Sequence, residues 1–148
     1  MRCPPLEEVV MRLRARTLSF EELAARCGWD GALRLVAAAA LKARIDGARG
    51  SVVCLRTKSI WACDAKVYRT FCVPRNAAVE AVRRALRIAK EAGVGPFWSA
   101  PLRKRKTNCW RREDAERLVA VLLDGLAPAR RRARRDMRRF VPDAGGGA

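Results

Sequence analysis

Arg56, Lys58, Arg69, Arg103 and Arg105 fall in or beside short runs rich in Val, Ile, Trp, Tyr and Phe, the composition of strands and their turns. Long cationic side chains standing on one face of a strand can reach guanine O6 and N7 in a nucleic-acid groove. Lys104, Lys106, Arg111 and Arg112 crowd a turn and a strand end, where contact with phosphate positions a nucleic acid without reading it. Arg131 and Arg135 belong to a denser arginine run that phosphates would neutralise. For each residue singly the alternative is a solvated surface charge.

The tryptophans add a second chemistry, stacking on bases. Trp61 and Trp98 lie within apolar strand runs and are expected in the core, whereas Trp110, between Cys109 and Arg111, is the best stacking candidate. The six cysteines show no C-x-x-C pair and the chain has no histidine, so a zinc site would need thiolates gathered from distant places. Cysteines inside strand-like runs are expected as small buried hydrophobes. In a protein from a hot habitat, disulfides become an option even inside a cell.

Composition points the same way as the basic strands. Lys and Arg number 32 against 15 Asp and Glu, a formal net charge of +17, and so large an excess usually means a polyanionic partner. Nucleic acid is the first expectation. An acidic membrane surface competes, but no apolar run approaches the ~18 residues of a span. The start, Met1 to Val10, lacks the pattern of a signal peptide. A cytoplasmic protein follows, nucleoid-associated if the source is prokaryotic.

The elements that must hold these residues can be read from periodicity. Leu6, Val9, Val10 and Leu13 recur at helical spacing. Ser19 followed by Glu22 is a capping box that opens a second helix, stopping at Gly28. Asp30 then caps a long alanine-dense helix, Gly31 to Arg44, with four consecutive alanines at 37–40. A helix so thin predicts close helix contact, within the chain or between two copies. After Gly50 the period turns to alternation, and Ser51–Thr57, Ser59–Asp64 and Lys66–Val73 read as strands. Asn76 is expected to cap a helix with Val79, Val82, Leu86 and Ala89 on one face, ending at Gly93. A second hairpin pairs Pro96–Ser99 with Thr107–Trp110 across a basic turn at 103–106. A last helix, Glu113 to Asp124, should bury Ala115, Leu118, Val119 and Leu122 and stop at Gly125. Thr70, Cys72, Arg75 and Ala78 match Thr107, Cys109, Arg112 and Ala115 at a constant offset, which suggests two successive strand-into-helix units.

The fold class is therefore α+β. Residues 1–28 form an N-terminal helical segment, 29–126 an α+β nucleic-acid-binding domain, and 127–148 an Arg-rich tail with a Gly-rich end expected to be disordered. From the alanine-rich helix onward the order helix, strand pair, helix, strand pair, helix resembles one repeat of the LAGLIDADG homing-endonuclease family. The words that carry the resemblance are Leu41-Lys42-Ala43-Arg44-Ile45-Asp46-Gly47, a helix ending in an acid and a glycine. It would cover about Asp30 to Gly125, one α-ββ-α-ββ-α unit with an antiparallel sheet.

The resemblance implies a duplex-DNA binder whose strands form a saddle along the major groove, either a homing-type endonuclease or a descendant that lost cleavage. It makes Asp46 the catalytic and metal-binding carboxylate, holding Mg²⁺ with phosphate oxygens. One repeat supplies one acid, so a cutting enzyme would be a homodimer paired through the Ala-rich helix 31–44. Asp46 also reads as a helix-end turn residue making local hydrogen bonds. A register that ends at Gly50-Ser51 puts Arg49 in the acid's place and leaves a binder without cleavage. Two other readings stand beside this one. In the first, the N-terminal third is a winged helix-turn-helix and Gly31–Arg44 enters the groove, as in a transcription or chromatin protein. In the second, the chain is a ribosome- or RNA-associated basic protein.

Overall fold

Leu6, Val9, Val10 and Leu13 recur at helical spacing, and they are the buried residues of the first helix, α1 (Leu6–Arg14). The computed structural model describes residues 3–47, 49–63, 71–102, 105–124 and 126. α1 ends on two crossed hydrogen bonds, Thr17 N–H to the Arg12 carbonyl at 2.9 Å and Arg16 N–H to the Leu13 carbonyl at 3.2 Å. That is a Schellman end, and Arg16 occupies its left-handed position at φ 58° where glycine is usual.

The next helix, α2 (Phe20–Gly47), opens as its sequence requires: the Ser19 hydroxyl accepts the Glu22 N–H at 3.1 Å. It breaks at Gly28, whose φ of 78° and ψ of 165° lie outside helical space. The break is braced from both sides. Phe20 and Trp29 meet edge to face at 5.1 Å, and the Trp29 indole N–H reaches Glu80 at 3.0 Å. Asp30, expected as a cap, instead accepts from Arg34 at 2.8 Å and from Arg84.

Beyond the break α2 is the centre of the molecule. Ala32, Leu33, Leu35, Val36 and Ala37 to Leu41 are all buried, with α1 against the helix on one side. The chain then enters β1 (Val52–Arg56), a single helical turn α3 (Lys58–Trp61), a long helix α4 (Arg75–Glu91), a hairpin of β2 (Trp98–Leu102) and β3 (Arg105–Arg111), and α5 (Arg112–Asp124). α2 touches α1, α3, α4, α5 and β1. The close packing that the alanine run predicts thus occurs within the chain. Between Gly31 and Ile45 a second copy would meet only Arg34, Lys42 and Arg44, because the other side chains are covered. One core cluster runs from Leu6 to Leu126.

Two expectations about the middle of the chain are corrected. Ser59–Asp64 is not a strand: Lys58–Trp61 turns as α3. An apolar run this short has no period of its own, and the turn drops Ile60 into the core while Trp61 lies under the Arg75 guanidinium at 5.2 Å. The expected strand Lys66–Val73 falls mostly on residues outside those described. Its end, Phe71 to Val73, joins no ladder, and Val73 N–H bonds the Ile60 carbonyl at 3.1 Å. The first strand pair of the expected unit is therefore a strand and a helical turn among the described residues.

α4 begins without the Asn76 cap, since Pro74 takes the N-cap position with no side-chain bond. Its covered face is alanine-rich, Ala77, Ala78, Ala81, Ala85 and Ala89, with Val82 and Ile88; Val79 and Leu86 are only half-buried. It ends as predicted at Gly93, φ 72°, in a second Schellman pair: Val94 N–H to the Ala89 carbonyl at 2.8 Å and Gly93 N–H to the Lys90 carbonyl at 3.2 Å. α5 buries the four residues expected of it, Ala115, Leu118, Val119 and Leu122.

The sheet is antiparallel in the order β1-β3-β2. β1 pairs with β3 from Val52 opposite Arg111 to Arg56 opposite Thr107, and β2 pairs with β3 from Trp98 opposite Cys109 to Leu102 opposite Arg105. Helices α2, α3 and α5 pack against these strands. All six cysteines are joined, as Cys3–Cys27, Cys54–Cys109 and Cys63–Cys72. They are thus staples rather than the free buried hydrophobes the strand runs suggested.

Candidate nucleic-acid interface

Side chains alternate across a strand, so the ladder sorts the sheet residues into two sets. Val53, Leu55, Asn108 and Trp110 point toward the helices, and all four are buried. Trp110 is 0% exposed and its indole N–H donates to the Val94 carbonyl at 2.8 Å. Asn108 is the polar member of this set and accepts from the Ser99 hydroxyl at 2.9 Å.

The other set is Val52, Cys54 and Arg56 on β1, Thr107, Cys109 and Arg111 on β3, and Trp98 on β2. Thr107 and Cys109, on the central strand, are themselves buried, so the exposed surface is made by the edge strands and strand ends. Val52 is 45% exposed and Trp98 51%. Phe97, just before β2, is 55% exposed, and the Arg111 guanidinium lies over its ring at 6.0 Å. Arg56 and Arg111 are exposed at opposite ends of this surface. Four residues separate their rows, about 13 Å along the strands. The Cys54–Cys109 disulfide joins the two strands midway between them, and Trp98 stands in the same row.

The structure distributes the sequence-predicted residues unevenly. Arg56 and Arg111 share the outer surface, and Lys58 is exposed on the turn that leaves β1. Arg112 is engaged by the backbone instead. Its guanidinium donates to the Ile45 carbonyl and the Gly50 carbonyl, each at 3.0 Å, and fastens the foot of α2 to the start of the sheet. Arg105 and Lys106 are described only as strand backbone, opposite Leu102 and Pro101. Arg69, Arg103, Lys104, Arg131 and Arg135 lie outside the described residues.

The tryptophan expectations are exchanged. Trp98, expected in the core, is half exposed; Trp110, the expected stacking residue, is sealed inside. With Trp98 opposite Cys109, the two tryptophans have opposite parity on the ladder, so only one of them can face the helices. Phe97 was not singled out by the sequence, and its position next to a Pro-containing turn was the available signal.

No protein-family model, curated protein or solved structure matches this chain.

Asp46 lies at the foot of α2 with an exposed carboxylate, 3.3 Å from the Lys42 ammonium. Among the described residues no group of three acids, cysteines or histidines comes together for a metal ion. At the foot of α2 Asp46 pairs with Lys42, and the Mg²⁺ site that the LAGLIDADG resemblance implies would need a second carboxylate from another copy. Among the described residues no helix is long and apolar enough to cross a membrane.

Proposed function

We propose that this protein binds nucleic acid across the outer face of its sheet. The observation that carries the reading is the strand register, which sets Arg56 and Arg111 at the two ends of a surface bearing Trp98 and Phe97, in a chain of net charge +17. Guanidiniums at that spacing suit two phosphates of one backbone, and contacts of this kind supply affinity without sequence information. The burial of Gly31–Arg44 favours the sheet over that helix as the binding element, and so weighs against a winged-helix reading. The saddle implied by the LAGLIDADG resemblance would use the same strands.

The test is the salt dependence of binding to labelled mixed-sequence DNA, followed by fluorescence anisotropy. Affinity should fall steeply as salt rises, and Arg56→Ala and Arg111→Ala should each lower the slope of log K against log salt by about 1. Variants with the parent slope would remove the outer face from the interface.

A further inference from the structure

Phe97 and Trp98 are adjacent large aromatics, each about half exposed; Trp98 shares the outer face with Arg56 and Arg111, and Phe97 lies beside the Arg111 guanidinium. Leaving such rings in water forgoes burial that a folded chain ordinarily takes. Both residues have a fixed backbone. Phe97 N–H bonds the Cys109 carbonyl at 3.1 Å, and Trp98 is fixed in the ladder opposite Cys109, whose sulfur is tied to Cys54 on the next strand. The rings are therefore presented by a stapled backbone.

We infer that Trp98, with Phe97 beside it, is a stacking platform for unpaired bases, so that the ligand of the outer face is single-stranded nucleic acid. The inference rests on the nucleic-acid reading above and adds the form of the ligand. A base in a duplex has both faces covered by its neighbours and offers nothing to a ring. An unpaired base offers a π-face, and every base has one, which makes such binding tolerant of sequence. Arg111 stands one row along from Trp98 on the adjacent strand, about 8 Å away by sheet geometry. A base stacked on Trp98 thus carries its phosphates toward Arg111 on one side and Arg56 on the other. The guanidinium over Phe97 is the arrangement of a cation–π contact, so Arg111 is held at the surface, facing the backbone of the strand. A protein partner for the two aromatics would have to cover both arginines, and no acidic residue stands on the three strands to answer their charge.

The experiment compares two fluorescent probes on the full chain near 150 mM salt: an oligothymidylate of about 15 nucleotides and a blunt mixed-sequence duplex of about the same length. The single strand should bind more tightly and quench tryptophan emission. Trp98→Ala should weaken single-strand binding about ten-fold while lowering duplex affinity by less than about two-fold, and Trp98→Phe, which keeps a π-face, should restore most of the loss. Phe97→Ala should have a smaller effect, because the Arg111 guanidinium occupies one side of that ring. Equal or tighter duplex binding, or a Trp98→Ala protein with the parent preference, overturns the stacking platform and leaves nucleic-acid binding standing. Failure of both probes to bind overturns the nucleic-acid reading itself. Self-association that vanishes in Trp98→Ala, without binding of either probe, would assign the face to a second copy and overturn the inference as well.

Discussion

Val53 and Cys54 are neighbours in β1, and so are Cys109 and Trp110 in β3, yet each pair straddles the sheet. On one side Val53, Leu55 and Trp110 pack under helices and lose nearly all their contact with water. On the other, Trp98, Phe97 and Val52 keep about half of theirs, with arginines at the ends. Residue type does not distinguish the sides, since both carry tryptophan and valine. The difference comes from what lies above the strand: the inner face has α2 and α5, and the outer face has charge and a disulfide. An aromatic on the inner face is part of stability, and one on the outer face is available for recognition.

The contrast is sharpest between the two tryptophans. Trp110→Ala should cost about 3–5 kcal/mol, through the cavity left under the helices and the loss of the bond to Val94. Against the marginal stability of a domain this size that is close to unfolding, and urea denaturation would read it as a large fall in midpoint. The next effect measures what the disulfide on the outer face contributes to stability. Replacing Cys54 and Cys109 together by alanine opens a closure spanning 55 residues and should lower stability by about 2–4 kcal/mol, by the same denaturation assay. A thiol titration of the unfolded native protein should find no free cysteine. The smallest effect is expected from Trp98→Ala, within about 0.5 kcal/mol of the parent. If Trp98→Ala destabilises as much as Trp110→Ala, the division between the faces is wrong.

Much of the helical framework was legible because its signals are local. Leu6, Val9, Val10 and Leu13, and later Ala115, Leu118, Val119 and Leu122, lie at helical spacing and are the residues buried. Ser19 caps and Gly93 stops because each needs only its own few neighbours. What failed depended on distant partners. The run Ser59–Asp64 held too few residues to declare a period, and packing of Ile60 decided for a turn. Whether Trp98 faces inward is set by the register of β2 on β3, and a shift of one residue would bring it opposite Trp110 on the helix side. Six thiols can pair in many ways, and no spacing selects Cys54 with Cys109 until β1 and β3 are known to be neighbours. The candidate site was accordingly half visible: Arg56 and Arg111 could be named from strand ends, whereas Phe97 and Trp98 needed the ladder.

The burial of α2 beyond Gly28, on all sides but the stripe of Arg34, Lys42 and Arg44, has a consequence for the route by which the chain acquires its structure. A helix that α1, α3, α4, α5 and β1 all lean on gives those elements their first common surface, while β1 must wait for β3 to arrive from a distant stretch of chain. The barrier to folding should therefore be crossed with the alanine segment already helical and the sheet still open. Ala38→Gly should slow refolding, with a φ-value of about 0.5–0.8, and Val53→Ala should mainly hasten unfolding, as stopped-flow chevrons would record. Comparable φ-values at the two positions would mean that helix and sheet form together.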